Sequence, residues 1–199
     1  MNIGIMGGTF NPIHHGHMIL SEFIREELSL DRIIFIPTGN PPHKDRRQVL
    51  DGQIRKEMID LAIESNKKFF LSTIEIDRNG ISYTIDTLRE LKSIYPKDQL
   101  YMIIGADSLL ELHTWKDFER LISITSFIVC NRYGSENQEV IRRINDLNHR
   151  YGGNIIGIET PIIDISSTNI RQRVKKNLSI KYLVSESVEE YISKNKLYK

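Results

Sequence analysis

Asn2-Ile3-Gly4-Ile5-Met6-Gly7-Gly8-Thr9-Phe10-Asn11-Pro12-Ile13-His14-His15-Gly16-His17 opens the chain as a short apolar run, a glycine-bearing loop and a helix entry. The apolar run is of strand length, and Met18, Phe23, Ile24 and Leu28 then recur at helical spacing, so the segment reads strand, loop, helix. The same alternation continues downstream. Strand-like runs are Arg32 to Ile36, Phe70 to Ile76, Leu100 to Ile104, Ser126 to Cys130 and Asn154 to Ile158. Helical stripes lie between them: Ile54, Met58, Leu61 and Ala62; Ile85, Leu88 and Leu91; Phe118, Leu121 and Ile122; Val140, Ile144 and Leu147. The runs are continuously apolar rather than alternating, as in strands covered on both faces. The order predicts an α/β fold, a doubly wound parallel sheet with helices on both faces, binding its ligand beyond the C-terminal ends of the strands. Two helix starts carry capping-box signals, Ser135 with Gln138 and Ser187 with Glu190.

Composition narrows the class. The 199 residues carry 27 Lys+Arg against 26 Asp+Glu, a formal charge of +1. That balance offers no general basic field, so neither nucleic acid nor an anionic membrane is an expected partner. At roughly 150 residues per domain the length suits one domain over 1–199, with a small C-terminal helical part from about 166 to 199. Cys130 is the single cysteine, which leaves no intrachain disulfide; in the apolar run Phe127-Ile128-Val129 it reads as a buried strand thiol with no chemistry. The N-terminus lacks a basic leader, and no apolar run approaches the ~18 to 20 residues that span a bilayer. A cytoplasmic location is expected. Length and composition suit either a monomer or a homo-oligomer.

The first loop is the most informative. Gly7 and Gly8 allow close backbone approach and left-handed conformations, and the helix behind them offers free N–H groups to an anion. The G-x-G-x-x-G and Walker patterns are both absent, which disfavours an ordinary dehydrogenase or a P-loop ATPase. His14 and His17, three apart, share one side of the helix entry. Capping and surface roles are the plain alternatives. Metal ligation is another, but the loop supplies no further ligand and a zinc site needs three or four. Near the other end, Ile165-Ser166-Ser167-Thr168-Asn169-Ile170-Arg171 follows a strand-like run. The hydroxyls suit a helix N-cap, and Arg171 falls one turn inside, within reach of the same anion.

The Gly7-to-His17 string resembles the H-x-G-H motif of the nucleotidyltransferase superfamily, and Ile165 to Arg171 is similar to its I-S-S-T-x-x-R motif. The resemblance implies a Rossmann-like sheet of the nucleotidyltransferase type. It implies that His14 and His17 bind nucleotide phosphates and stabilise a pentavalent transition state, with Arg171 on the leaving β/γ phosphates. Gly7, Gly8, Thr9, Phe10, Gly105, Asp107, Ile165, Ser166, Ser167 and Thr168 would then form the ATP site.

Three further features bear on the acceptor. Asn40-Pro41-Pro42-His43-Lys44 lies in the polar stretch Pro37 to Gln53, Ser82-Tyr83-Thr84 opens a helix, and Gly105-Ala106-Asp107-Ser108 leads to Trp115, the single tryptophan. A lysine there suits a phosphate, and a tryptophan after a strand can offer its ring face to a flat ligand, though a lone tryptophan is more often core. Together these resemble the bacterial nicotinate mononucleotide adenylyltransferase family from about Asn2 to near the C-terminus. The resemblance implies that Lys44, Tyr83, Thr84 and Trp115 hold the mononucleotide, that ATP and nicotinate mononucleotide are the substrates, that Mg²⁺ travels with the ATP phosphates, and that no metal is held by the protein alone. No unambiguous Arg or Lys faces the pyridine carboxylate in the sequence near these segments. Alternatives are a nicotinamide mononucleotide or pantetheine-phosphate enzyme, or a non-catalytic nucleotide sensor on the same fold; retention of both histidines and Arg171 argues against the last.

Overall fold

Ile33-Ile34-Phe35-Ile36 is buried along its whole length, and the two faces of this strand feed two separate cores. Ile34 and Ile36 pack with one set of residues, Ile33 and Phe35 with another. Successive side chains of a strand point to opposite faces, so an unbroken apolar run requires cover on both. A computed structural model of the chain describes residues 1–40, 49–132 and 138–199. Its six strands are β1 (Asn2–Gly8), β2 (Arg32–Pro37), β3 (Phe69–Leu71), β4 (Gln99–Gly105), β5 (Ser126–Arg132) and β6 (Ile155–Thr160). They form one sheet in the order β3-β2-β1-β4-β5-β6, with every neighbouring pair parallel.

The helices are α1 (His15–Glu27), α2 (Gly52–Ile63), α3 (Thr84–Ile94), α4 (Ala106–Leu110), α5 (Phe118–Ile124), α6 (Gln138–Tyr151), α7 (Ser167–Lys175) and α8 (Glu186–Lys194). Ile24 of α1, Met58 and Ile59 of α2, Ile170 of α7 and Val188 and Ile192 of α8 cover the face carrying Ile33 and Phe35. Leu88 of α3, Leu109 of α4, Leu121 of α5 and Leu147 of α6 cover the other. The expected doubly wound architecture is therefore observed. Gly4 of β1 is set by crowding: a Cβ there would lie 2.5 Å from Ile33 Cδ1.

Two local expectations are corrected. The third strand ends at Leu71 rather than Ile76. After the Ser72 N–H bonds Phe35 O at 3.0 Å, Thr73 starts a turn closed by Asp77 N–H to Thr73 O at 2.9 Å, which directs Ile74 into the core. Helix α8 is capped at Ser185, not Ser187; Ser187 instead lies in the first turn and donates to Leu61 O at 3.2 Å, tying α8 to α2. Ser135, and with it the other expected capping box, lies outside the described residues.

The chain leaves β1 on one side of the sheet and β4 on the other. In such a sheet the crevice between strands whose connections diverge is where ligands bind. The loops after β1 and β4 are thus the first place to look. Among the described residues, no helix is long and apolar enough to cross a membrane.

Candidate active site

A cleft of about 540 Å³ opens at that switch point. Its walls include His14, Gly16 and His17 from the entry to α1, Gly105 and Asp107 at and after the end of β4, Cys130 and Asn131 near the end of β5, and Thr160, Pro161, Ile163 and Ile165 at and after the end of β6. His14, His17, Gly105, Asp107 and Ile165 were expected from the sequence, and the fold brings them together from opposite ends of the chain.

The histidine pair lines one wall of the cleft. His14 is the N-cap of α1 and His17 sits at its third position, so the rings stack with centroids 3.7 Å apart and planes 29° from parallel. The His14 backbone N–H donates to His17 Nδ1 at 3.3 Å. A nitrogen that accepts cannot carry the proton of a neutral ring, so His17 presents its N–H at Nε2. Burial, reinforced by the neighbouring histidine, lowers His17 to about 3; burial and His15 lower His14 to about 4. Both rings are neutral at pH 7. His14 Nδ1 is buried without a hydrogen-bond partner.

Phe10 is set behind this pair. It is 2% exposed, meets His17 edge to face at 5.0 Å and adopts φ 47°. A bulky residue in the left-handed region is an outlier, and such strain persists where the surroundings over-determine it. The expectation that Gly7 or Gly8 would take that conformation is corrected: both are the closing residues of β1, and the positive φ falls on Phe10. Gly8 leaves room for the ring, since a Cβ there would lie 3.0 Å from Phe10 Cζ. Gly7, Gly8, Thr9 and Phe10 thus shape the loop under the cleft rather than its wall.

The α7 start docks onto the same loop. Ser166 caps the helix through a bond from Asn169 N–H at 3.2 Å, Ser167 Oγ donates to Pro12 O at 2.8 Å, and Arg171 Nη1 donates to Asn11 O at 2.9 Å. Arg171 Nη2 also reaches Thr168 Oγ1 at 3.3 Å. Ser167 and Arg171 therefore hold the start of α7 against the loop that leads into α1.

Tyr83, Thr84 and Trp115 form a second group. Tyr83 is the N-cap of α3 and Thr84 its first residue, and Tyr83 and Trp115 pack against one core cluster. The α3 start and the turn after Trp115 are joined by Lys116 to Asp86 at 3.3 Å and Arg89 to Asp117 at 3.3 Å. Lys116 Nζ lies 4.3 Å from the Tyr83 ring centroid. Lys116 thus brings a cation, paired with Asp86, beside both segments. Lys44 lies outside the described residues.

Several supporting groups had no signal in the sequence. Arg55 of α2, 1% exposed, donates to Leu50 O at 2.9 Å, Thr9 O at 2.8 Å and Thr38 O at 2.8 Å. Burial pushes its pKa below the usual arginine value. Glu75, raised by burial, accepts from Thr87, Gly39 N–H and Ser82, and so fixes the start of α3 against the end of β2. Gly39 cannot be larger, because its Cβ would lie 1.9 Å from Glu75 O. Cys130 is partly rather than fully buried and lines the cleft; that burial pushes its thiol up to about 12, so it stays protonated. Asn131 and Thr160 were missed, although both close strands whose C-terminal ends the sheet rule singles out. Among the described residues, no three His, Cys, Asp or Glu side chains gather as a metal-binding group.

Comparison with known proteins agrees with this geometry. The family model described as Cytidylyltransferase-like matches residues 5–173. A Thermoanaerobacter sp. (strain X514) protein named "Probable nicotinate-nucleotide adenylyltransferase" is 48% identical, covering 100% of this chain and 95% of its own. A Moorella thermoacetica protein of the same name is 46% identical, over 99% and 91%. A solved structure described as Plasmodium falciparum nicotinic acid mononucleotide adenylyltransferase complexed with NaAD superimposes with a TM-score of 0.81 at 22% identity, covering 99% of this chain and 97% of that one, a likeness of fold. By the extent of these matches, the chain belongs to the nicotinate-nucleotide adenylyltransferase family of cytidylyltransferase-like proteins.

Proposed function

We propose that the protein transfers the adenylyl group of ATP to nicotinate mononucleotide, releasing pyrophosphate and forming deamido-NAD. The observation that carries this reading is the neutral, stacked His14–His17 pair in the switch-point cleft. One buried and one partly buried imidazole, with no carboxylate paired to them among the described residues, suit a site where a polyphosphate arrives with its own negative charge. The relatives' names supply the acceptor and the donor class.

The acceptor phosphate is already ionised at neutral pH, so its oxygen attacks the α-phosphorus without a general base. The bond to the β-phosphate breaks, and pyrophosphate leaves with the electron pair. The protein's contribution is positioning and charge stabilisation. His17 donates from Nε2 to oxygens that gain charge, and a triphosphate beside the pair raises both imidazole pKa values toward their ordinary range. Arg171, anchored at Asn11 O and Thr168, holds the outer phosphates with the rest of its fork. Gly105 and Asp107 flank the nucleoside side of the cleft. Mg²⁺ would enter with ATP and supply charge neutralisation of the triphosphate. Among the described residues no carboxylate cage gathers to hold it alone, so it would be held chiefly through the phosphates.

The acceptor is assigned to the Tyr83–Thr84 helix start, Trp115 and Lys44. Free N–H groups at a helix start favour a carboxylate oxygen over an amide NH₂, and Lys116 over Tyr83 adds positive charge on that side. A misplaced NH₂ leaves a donor facing donors, at about 1–3 kcal/mol for each buried mismatch. Two mismatches give discrimination on the order of a hundredfold. Measuring kcat/KM with ATP and either mononucleotide tests both levels. A strong preference for the acid is expected; equal values or a preference for the amide overturn the acceptor, and no turnover with either overturns the reaction. A cytoplasmic site of action accords with this chemistry.

A further inference from the structure

Tyr198 lies four residues beyond α8, where the chain turns back through positive φ at Lys196 (51°) and at Tyr198 itself (63°). The flanking Lys196 and Lys199 are exposed, whereas Leu197 and Tyr198 are partly buried and pack against the core under α1 and α2. A tyrosine with φ 63° is a backbone outlier, held only where its contacts outweigh the cost. The contact it reaches is polar: its hydroxyl donates to Asn11 Oδ1 at 3.0 Å. Asn11 is 4% exposed, and its Oδ1 also accepts from Leu50 N–H at 3.3 Å. Its backbone oxygen accepts from Arg171 at 2.9 Å. One residue of the loop beneath the cleft therefore joins the C-terminal tail, the chain entering α2 and the arginine assigned to the ATP phosphates.

We propose that Tyr198 is a positioning residue: acting through the Asn11 side chain, it fixes the carbonyl on which Arg171 docks and thereby aims that arginine at the nucleotide. The inference rests on the reading of Arg171 as a phosphate ligand. The hydroxyl suits a fixed strut because it stays protonated. Burial raises its pKa more than the nearby Arg171 and Arg55 lower it, so it remains a donor at any physiological pH. The surrounding apolar packing of the ring is independent of the oxygen, so Tyr198→Phe removes one hydrogen bond and leaves the tail seated.

The test is a double-mutant cycle on binding of MgATP alone, measured by calorimetry with wild type, Tyr198→Phe, Arg171→Ala and the double variant. Tyr198→Phe should weaken ATP binding about three- to tenfold, the range for one buried hydrogen bond, and should add nothing further once Arg171 is gone. In turnover, the KM for ATP should rise while the KM for the mononucleotide stays at its wild-type value. If Arg171→Ala abolishes measurable binding, Arg171→Lys closes the same cycle. Wild-type affinity in Tyr198→Phe, or an equal loss in both backgrounds, overturns the proposal and leaves a merely structural tail. ATP binding with the expected coupling but no dinucleotide product would overturn the adenylyl-transfer reading and leave the positioning role standing; turnover without coupling does the reverse.

Discussion

Replacing Arg55 by methionine removes a buried cation whose three hydrogen bonds among the described residues all go to backbone carbonyls. The guanidinium is 1% exposed and donates to the carbonyls of Leu50, Thr9 and Thr38 at 2.9, 2.8 and 2.8 Å. Hydrogen bonds from a charged donor are worth about 1.5–3 kcal/mol each, so the gross loss is roughly 4.5–9 kcal/mol. Against it stands the desolvation that the cation no longer suffers, several kcal/mol for a buried ion, and the packing that the methionine stem retains. The net effect falls at about 3–5 kcal/mol of destabilisation, the range seen when a buried charged network loses one member. For a chain of this size that corresponds to a fall in Tm of about 6–20 °C. Equilibrium unfolding in urea measures it. Arg55→Lys keeps the charge but cannot reach three carbonyls at once, so its loss should be about half as large. A change under about 1 kcal/mol in Arg55→Met would refute the argument, because it would mean that those carbonyls are satisfied without the fork. The consequence is also functional, since Thr9 belongs to the loop beneath His17 and Leu50 to the chain that bonds Asn11.

Three predictions concern the cleft. His17→Ala should lower kcat by about 10²–10³-fold, as expected for loss of one preorganised donor to a developing charge; near-normal turnover in a steady-state assay would remove the histidine from the reaction. Arg171→Lys should remain impaired despite its charge, with the deficit in the KM for ATP, because a lysine cannot hold Asn11 O, Thr168 and a phosphate together; wild-type kinetics would contradict this. Stability of the nucleotide-free protein should fall on acidification. His14 and His17 are lowered from 6.5 to about 4 and about 3, so the unfolded chain takes up their protons first. Their stabilising contribution is complete above about pH 6.5 and is lost as pH falls toward 3, with a limiting slope of about 1.4 kcal/mol per pH unit for each. Urea titrations between pH 7 and 4.5 should show this slope reduced in His17→Gln, and an unchanged profile would mean the ring is not buried neutral.

Much of this molecule was legible before folding was considered. Strands buried on both faces must be apolar without interruption, so Arg32 to Ile36 and Ser126 to Cys130 declared a doubly wound sheet, and the sheet declared the end at which the ligand binds. His14, His17 and the Ser166 to Arg171 helix start were visible for the same reason: their function depends on residues within one turn of each other. Where a contact spans the chain, local pattern has nothing to report. No spacing relates Tyr198 to Asn11, or Arg55 to Thr9, Thr38 and Leu50, and Lys116 gives no sign of lying over Tyr83. The left-handed turn was expected at glycine on intrinsic preference and fell on Phe10, because packing against His17 and Phe35 outweighs a backbone cost of order 1–3 kcal/mol. Local periodicity and motif thus determined the sheet and the stacked histidine pair. The supports that hold that pair in place were decided only when burial made each unmet hydrogen bond expensive enough to select its partner across the fold.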